Sequence, residues 1–189
     1  MMERIKDATP EKPEDMDKFY KKYGTSFRNK DYTFLKSVFD VSNFKGTLLD
    51  MGCGLGDGVL YLKNKCPHIT KFYAADVSPQ AINTCKNNPL LKDAIFFLHD
   101  IMNPLPNNYD VVICLQTLEH VLDPIKAMKN LINAANSLLI VAVPYKNRRT
   151  YITHIWSFDE YDFCELVDFH RFGQKETNIY WLVDKKQEK

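Results

Sequence analysis

The chain has 189 residues, of which 45% are hydrophobic and 26% are charged, as expected of one ordinary globular domain. Its 25 basic and 24 acidic side chains give a net charge of +1, so the sequence lacks the general positive charge that favours nucleic acid or an anionic membrane surface. The five cysteines include no Cys-x-x-Cys pair and no histidine at metal-ligand spacing, which is typical of reduced thiols and predicts no metal site.

Residues 1–45 are expected to form an arm and capping helices. The charged N-terminus is not a signal peptide, and its polar residues predict a loose arm before the first helix. From Pro13 to Tyr23 apolar residues recur at helical spacing, with a proline suited to the first turn and Gly24 suited to the C-terminal stop. A second helix is predicted from Asp31 to Asp40. No apolar run is long enough to span a bilayer, so we expect a cytoplasmic protein.

From Gly46 onwards, short apolar segments typical of buried strands alternate with segments typical of helices. Strands are predicted at GTLLDMG, KFYAAD, AIFFLHD, YDVVICL and SLLIVAVP, in that order. This alternation predicts an α/β fold with an open, doubly wound, mostly parallel sheet and helices on both faces. The last two predicted strands, VDFHRF and NIYWLVD, have no helix between them, so they must pair antiparallel as a hairpin, with Gly173 in the turn region.

The helices between these strands have recognisable ends. Asp57–Lys65 is predicted to be a helix because it follows a glycine-rich loop and is stopped by a Cys-Pro pair. Ser78-Pro79 and Asp123-Pro124 each combine an N-cap residue with a proline at the first helical position. Ser157-Phe-Asp-Glu160 has the form of a capping box and predicts a further helix that ends near Leu166. Residues 46–189 are therefore expected to form one compact domain with residues 1–45 as its cap.

The most informative segment is LLDMGCGLGDG, in which a strand ends at Asp50 and three glycines follow at alternate positions. Such glycines let the backbone turn tightly and let a ligand lie against it without interference from a Cβ. The dinucleotide fingerprint fails because its third glycine would fall on Asp57 or Val59, and no Gly-Lys-Ser/Thr of a P-loop is present. The acidic residues of the loop disfavour a pyrophosphate and favour a ligand with a cationic amine and a sulfonium.

Four segments in register resemble the motifs of the class I S-adenosylmethionine-dependent methyltransferases. The segments are LLDMGCGLGDG, AADVSPQAI, LHDIMN and YDVVICLQTLEHV, each placed at the end of a predicted strand, and the resemblance covers about residues 46 to 183. It implies a Rossmann-like sheet of seven strands with a C-terminal antiparallel hairpin. It also implies S-adenosylmethionine as the methyl donor and S-adenosylhomocysteine as the product, with no metal.

The resemblance implies a role for residues of each motif. Asp50 and the glycine loop would hold the amino-acid end of the cofactor, Asp76 would accept both ribose hydroxyls, and Asp100 would accept from the adenine amino group. Ile101 would offer its backbone N–H and an apolar wall, and the end of the fourth strand would line the site near the methyl group. The expected cofactor-binding residues are Asp50, Gly52, Cys53, Gly54, Gly56, Asp76, Val77, Asp100, Ile101, Leu115 and Gln116.

The acceptor is constrained by motifs that are missing. The Asn/Asp-Pro-Pro-aromatic motif of adenine- and glutamine-methylating enzymes is absent, because the corresponding place reads CLQT, and the Pro-Cys nucleophile of cytosine C5 enzymes is absent as well. The segment LEHVLDP resembles the type 11 subgroup, which mostly acts on small molecules. Together with the neutral charge, these features favour a small-molecule acceptor over nucleic acid and leave the oligomeric state open.

Several residues near the expected methyl group are candidates for acceptor binding or catalysis. His120, in LEHVLDP, and His154, after the fifth strand, would act as a general base or orient the acceptor. Tyr145 and Trp156 would wall the acceptor pocket, and Arg148, in a short basic cluster, would grip an acidic or phosphorylated acceptor. The alternatives are a loop-shaping hydrogen bond for the histidines, core packing for the aromatic residues and a solvated loop for the arginine.

The first helix is expected to cover the cofactor as a lid, as such helices commonly do in the family that the chain resembles. Tyr20 and Tyr23 would then contact the cofactor or the acceptor, whereas plain core packing is the alternative. Two other functions stay open on the sequence: a catalytically silent S-adenosylmethionine-binding module that acts through a partner, and a methyltransferase of a macromolecular acceptor such as protein or RNA.

Overall fold

A computed structural model of the chain describes residues 2–5, 8, 12–23, 32, 35, 40–146, 154–166, 171–175 and 178–185. Its strands are β1 (Glu3–Arg4), β2 (Lys45–Met51), β3 (His68–Asp76), β4 (Ile95–Leu98), β5 (Tyr109–Leu115), β6 (Ala135–Pro144), β7 (Trp156–Ser157), β8 (Arg171–Lys175) and β9 (Asn178–Asp184). Its α-helices are α1 (Pro13–Tyr23), α2 (Asp57–Lys63), α3 (Pro79–Lys86) and α4 (Pro124–Ala134). Short 3-10 helices span Val41–Asn43, Pro89–Leu91 and Leu118–His120.

The main sheet has seven strands in the order β4-β3-β2-β5-β6-β9-β8. The first five are parallel, and β9 pairs antiparallel with both β6 and β8. The predicted doubly wound sheet with a C-terminal hairpin is thereby confirmed. Because β2 pairs with β3 on one side and with β5 on the other, the direction of winding reverses between β2 and β5. In open α/β sheets, ligands bind at this reversal, outside the carboxyl ends of the strands.

Hydrophobic residues pack on both faces of the sheet, because neighbouring residues of a strand point to opposite sides. Leu48 belongs to a buried cluster with residues of α2 and α3, whereas the adjacent Leu49 belongs to a second cluster with residues of α4. Leu48, Leu49 and the α4 residue Leu131 are all fully buried. The two clusters form the cores of a three-layer sandwich of helices, sheet and helix.

The predicted helix ends agree with the structure where capping residues define them. The Ser78 hydroxyl accepts a hydrogen bond from the Ala81 backbone N–H, and the Asp123 carboxylate accepts one from the Lys126 N–H. Both caps satisfy backbone donors that the first turn of a helix leaves unpaired. The helix after the glycine loop ends at Lys63, two residues before the predicted end.

The prediction of a loose N-terminal arm is wrong for the residues of β1. Glu3 pairs with Ser157 and Arg4 with Trp156 in a small antiparallel sheet of β1 and β7. The Ile5 N–H also donates to the Ile155 carbonyl at 3.0 Å. Polar composition predicted an arm, but the pairing uses backbone groups, which composition does not report.

The predicted helix from Ser157 to Leu166 is also wrong. Ser157 belongs to β7, so it does not cap a helix. Residues 160–166 form consecutive turns with hydrogen bonds from residue i to i−3, such as Leu166 N–H to the Phe163 carbonyl at 3.0 Å. The Phe158 and Phe163 rings pack 5.7 Å apart in the core. Long-range pairing and aromatic burial therefore override the local capping-box pattern.

The hairpin connection lies later in the chain than predicted. Gly173 is a residue of β8 and pairs with Tyr180, and the register pairs Lys175 with Asn178. The strand predicted at VDFHRF begins at Arg171, and residues 167–170 lie outside the described part of the chain. Most of the helix predicted for residues 31–40 lies outside it as well. None of the helices in the described part of the chain is long and apolar enough to cross a lipid bilayer.

Candidate functional site

A cavity of about 210 Å³ lies at the carboxyl ends of β2, β3, β4 and β5, where the sheet topology predicts a ligand. The helix α1 closes the cavity with Pro13, Met16 and Tyr20. Of the predicted cofactor-binding residues, those that line the cavity are Gly52, Asp76, Val77, Asp100, Ile101 and Gln116. The predicted cofactor-binding residues that do not line the cavity are Asp50, Cys53, Gly54, Gly56 and Leu115.

The glycine loop holds its shape by hydrogen bonds to the neighbouring strand. The N–H groups of Gly52 and Cys53 both donate to the Ala75 carbonyl, at 2.8 and 3.0 Å. Gly52 has a φ of 78°, and a Cβ at this position would lie 2.2 Å from the Thr117 hydroxyl oxygen. Only glycine fits there without strain, because both the backbone conformation and the close neighbour exclude a side chain. The loop therefore presents bare backbone to the cavity.

Asp76 is the acidic residue at the end of β3, and its carboxylate is fixed by backbone donors. One oxygen accepts from the Gly54 N–H at 2.8 Å, and the other accepts from the Ser78 N–H at 2.9 Å. The Tyr20 hydroxyl donates to the first of these oxygens at 3.4 Å. Asp76 is 4% exposed but lines the cavity. A carboxylate with unused lone pairs at a cavity wall is suited to accept hydrogen bonds from a ligand.

Asp50 lies behind the glycine loop and is fully buried. Both of its carboxylate oxygens accept from the Tyr32 hydroxyl, at 2.8 and 2.9 Å. Tyr32 also crowds Gly58 in α2, where an added Cβ would lie 2.1 Å from the phenol ring. The structure thus brings Asp50 together with Tyr32 and the start of α2 rather than with the cavity.

Cys53 lies within the glycine loop but points into the core. Its thiol and that of Cys85 both approach the Gly54 carbonyl, at 3.7 and 3.4 Å. The Cys85 contact and burial raise the pKa of Cys53 well above its ordinary value. Cys53 therefore stays a protonated, unreactive thiol that fills space beneath the loop.

The residues after β4 form another wall of the cavity. The Asp100 carboxylate accepts from the Met102 N–H at 2.9 Å, which fixes the turn that follows the strand. The Ile101 carbonyl accepts from the Asn130 side chain of α4 at 2.8 Å, and Ile101 is 4% exposed. This wall combines an acidic acceptor with apolar side chains, as the sequence predicts.

Gln116 follows β5 in a backbone conformation that is rare for a residue with a side chain. Its φ is 53°, and its N–H donates to the Ala142 carbonyl at 2.8 Å. The side-chain Nε2 is buried and makes no hydrogen bond within the described part of the chain. Left-handed backbone of this kind costs about 1–2 kcal/mol, and such strain often marks a functional site. Gln116 therefore offers a donor group at the cavity wall.

His120 and His154 lie in contact, although only His120 lines the cavity. Their ring centroids are 4.8 Å apart and nearly perpendicular. Glu119, which the sequence interpretation did not include, places a carboxylate oxygen 3.8 Å from His120 Nε2. Burial lowers the pKa of His154 to about 4, so its imidazole is neutral at pH 7. The sequence signal for this cluster is that its members follow β5 and β6, whose parallel carboxyl ends are adjacent.

The remaining acceptor-side predictions have different outcomes in the structure. Trp156 does not line the cavity, and its indole N–H donates to the Val121 carbonyl at 2.8 Å. Tyr145 lies next to Lys146, whose ammonium is 4.9 Å from the phenol ring, and it does not line the cavity. Arg148 lies outside the described residues, and so does the side chain of Tyr23.

The helix α1 is placed over the cavity by contacts with α3. Met16 and Tyr20 pack in a small buried cluster with Ala81 of α3. The Ser78 hydroxyl, which caps α3, also donates a hydrogen bond to the Asp17 carboxylate. α1 therefore covers the cavity while it packs on α3 beside the two main cores.

Comparisons with known proteins show that this chain is similar to methyltransferases. A family model described as "Methyltransferase domain" matches residues 13–176. The chain is 35% identical over 86 residues to tRNA N(3)-cytidine methyltransferase METTL6 of Homo sapiens, which covers 42% of this chain and 30% of that protein. It is 33% identical over 99 residues to the mitochondrial ubiquinone biosynthesis O-methyltransferase of Schizosaccharomyces pombe, with coverage of 48% and 35%. The matches thus span about a third of these curated relatives.

A solved structure shares the fold. Magnesium protoporphyrin IX methyltransferase (ChlM) from Synechocystis PCC 6803, crystallised with bound SAM, superposes with a TM-score of 0.63. The superposition covers 88% of each chain at 19% sequence identity. At this identity the likeness establishes the Rossmann-like architecture of the present chain.

Proposed function

This chain belongs to the methyltransferase domain family, and we propose that it transfers the methyl group of S-adenosylmethionine to a small-molecule acceptor. The observation that carries the proposal is the Asp76 carboxylate, fixed by two backbone N–H groups at a cavity wall beside a glycine loop. The cofactor supplies a methyl carbon that is already activated by the sulfonium. In the reaction the acceptor's lone pair forms a bond to this carbon, the C–S bond breaks, S-adenosylhomocysteine forms and the acceptor loses a proton.

The residues around the cavity fit the polar groups of this cofactor. Asp76 would accept the two ribose hydroxyls, and Asp100 with Ile101 would bind the adenine. The backbone of the loop at Gly52 would lie against the amino-acid end, and the Gln116 amide would donate near the methyl group. We propose that Asp50 acts through the loop, because its carboxylate accepts from Tyr32 and does not line the cavity.

The cavity in its present shape is small for such a ligand. Its volume is about 210 Å³, whereas ligand sites are usually about 300–1,000 Å³. The Tyr20 hydroxyl donates to the Asp76 oxygen that a ribose hydroxyl would use. We therefore propose that α1 moves to admit the cofactor and closes over it afterwards, with residues 1–45 as a cap and residues 46–189 as the cofactor-binding domain.

Three features support a small-molecule acceptor. The net charge of +1 gives no general attraction for nucleic acid. The cavity is enclosed by α1 and has mainly apolar walls, as small-molecule sites have. One curated relative is a ubiquinone biosynthesis O-methyltransferase. Another relative is a tRNA methyltransferase, which makes tRNA the second candidate acceptor.

Two measurements test the proposal. Calorimetry with S-adenosylmethionine, S-adenosylhomocysteine and NAD is expected to show binding of the first two only. Incubation with methyl-labelled cofactor and a cell metabolite pool is expected to label a small molecule, with a parallel incubation with total tRNA as the contrast. Binding of NAD alone would refute the cofactor assignment, and label in tRNA alone would replace the small-molecule acceptor by tRNA.

A further inference from the structure

We propose that Glu119, His120 and His154 form a binding site for one divalent transition-metal ion of the zinc type. One possible ligand atom from each residue lies within 4.8 Å of those of the other two. Two imidazole nitrogens and a carboxylate oxygen are a donor set that such ions prefer. Local spacing predicts no metal, because His154 follows a different strand from Glu119 and His120.

The backbone holds the two parts of this site together. Glu119 and His120 belong to the 3-10 helix after β5, and the Ile155 N–H donates to the Glu119 carbonyl at 2.8 Å. The Trp156 indole adds a second bond between the same segments, at 2.8 Å to the Val121 carbonyl. On its other side, the segment that contains His154 continues into β7, which pairs with β1. The ligands are therefore positioned before any ion binds.

The burial of these side chains would strengthen their electrostatic attraction to a bound cation. Glu119 is 1% exposed and His154 is 8% exposed. A buried carboxylate is costly in free energy unless an opposite charge, hydrogen bonds or a metal ion compensate it. A divalent ion between Glu119 and the two imidazoles would supply the positive charge.

The distances require only a small adjustment. Bonds of about 2.0–2.2 Å to zinc place ligand atoms about 3–4 Å apart. The Glu119 oxygen and His120 Nε2 are 3.8 Å apart, which is already in that range. The widest separation in the set is at most 4.8 Å, so side-chain rotations that shorten it by about 1–2 Å would close the site.

The position of the ion would matter for the methyl acceptor, a consequence that rests on the proposed function. Three protein ligands leave at least one coordination position open, as in catalytic zinc sites. His120 lines the cavity, so an ion bound to His120 would lie beside the space that the acceptor would occupy. The acceptor class that fits is a small molecule with an oxygen donor, such as a phenol, enol or alcohol.

The test is metal binding by the full chain after treatment with a chelator. Titration with Co²⁺ is expected to give a visible d–d absorption that saturates at one ion per chain and is displaced by Zn²⁺. Substitution of a residue that only hydrogen-bonds to a metal ligand weakens metal binding by about 10- to 100-fold. Because Glu119 and His154 are proposed as ligands themselves, E119Q and H154Q are each expected to weaken Co²⁺ binding at least about tenfold. H68A, which changes an exposed histidine on another part of the sheet, is expected to bind as the unmodified chain does.

Each outcome decides the proposal. Failure to bind one Co²⁺ per chain, or equal binding by the unmodified chain, E119Q and H154Q, would overturn the proposal and leave the cluster as two packed histidines beside a buried carboxylate. A variant that loses its cooperative thermal transition is unfolded and does not test the site. In that case, X-ray absorption of the zinc-loaded unmodified chain tests it, because the proposed ligands must give scattering from two imidazoles. Calorimetry with S-adenosylhomocysteine on the same samples reports the cofactor site separately, so either proposal can fail alone.

Discussion

Asp76→Ala is the substitution that tests the cofactor site most directly. The carboxylate lines the cavity, and the proposed ribose hydroxyls would donate to it. Hydrogen bonds to a charged group contribute about 1.5–3 kcal/mol, which corresponds to about 10- to 160-fold in affinity. We therefore expect S-adenosylhomocysteine to bind Asp76→Ala at least about tenfold more weakly in calorimetry. Asp93→Ala, at an exposed surface carboxylate, is expected to leave the affinity unchanged.

The same substitution also removes three hydrogen bonds within the protein, because Asp76 accepts from the Gly54 and Ser78 N–H groups and from the Tyr20 hydroxyl. A ligand that lacks a ribose hydroxyl separates the two effects. A deoxyribose analogue of S-adenosylhomocysteine should lose affinity for the unmodified chain, whereas Asp76→Ala should hardly distinguish it from the parent compound. Equal losses for the deoxy analogue with both proteins would refute a direct contact. Unchanged affinity of Asp76→Ala for the parent compound would remove the residue from the site altogether.

Further expectations concern the lid, the glycine loop and the core. Tyr20→Phe removes a hydroxyl that donates to the Asp76 oxygen that a ribose hydroxyl would use. Calorimetry should therefore show equal or tighter binding of S-adenosylhomocysteine. Weaker binding would mean that the phenol contacts the cofactor. Trypsin cleavage within α1 should slow when S-adenosylhomocysteine is added, and an unchanged rate would contradict the lid. Gly52→Ala places a Cβ 2.2 Å from the Thr117 hydroxyl. The affinity for S-adenosylhomocysteine should therefore fall, and the free energy of unfolding should drop by about 1–2 kcal/mol. A melting temperature equal to that of the unmodified chain would contradict the close packing. Leu131→Ala removes a fully buried side chain of α4 and should cost about 2–5 kcal/mol in urea unfolding, whereas the exposed Lys129→Ala should cost little.

The alternation of strands and helices could be predicted because each element carries its own signal. Pro13–Tyr23 agrees with the prediction at both ends, and α3 and α4 begin at the caps that the sequence indicates. The errors occur where a distant partner decides. Ser157 reads locally as a helix cap, but its backbone pairs with β1 at the other end of the chain. Gly173 reads as a turn residue, but antiparallel pairing with Tyr180 keeps it in a strand.

In the candidate site, too, some residues can be predicted from local sequence and others depend on distant contacts. Gly52, Asp76 and Ile101 line the cavity, since strand ends of a parallel sheet come together whatever their side chains are. The place of Asp50 in the motif predicts that it contacts the cofactor. In the structure, both of its carboxylate oxygens instead accept from the Tyr32 hydroxyl behind the loop. The sequence does not single out Glu119, because its proposed role depends on a position within 4.8 Å of His154, which local spacing does not indicate.

The two sides of the cavity therefore depend on different kinds of contact. This difference affects which acceptor the cavity can bind. The cofactor side is held by backbone bonds of neighbouring strands, such as those from Gly52 to Ala75, so many sequences can share it. The proposed acceptor side consists of α1, which packs on α3 through Met16 and Tyr20, and the turn at Leu118–His120, which the Ile155 N–H joins to the segment that contains His154. Relatives named for a tRNA cytidine and for ubiquinone biosynthesis match this chain over half of its length or less. We therefore propose that acceptor choice depends on α1 and on the turn that contains His120, because the shared sheet does not determine these parts of the cavity wall.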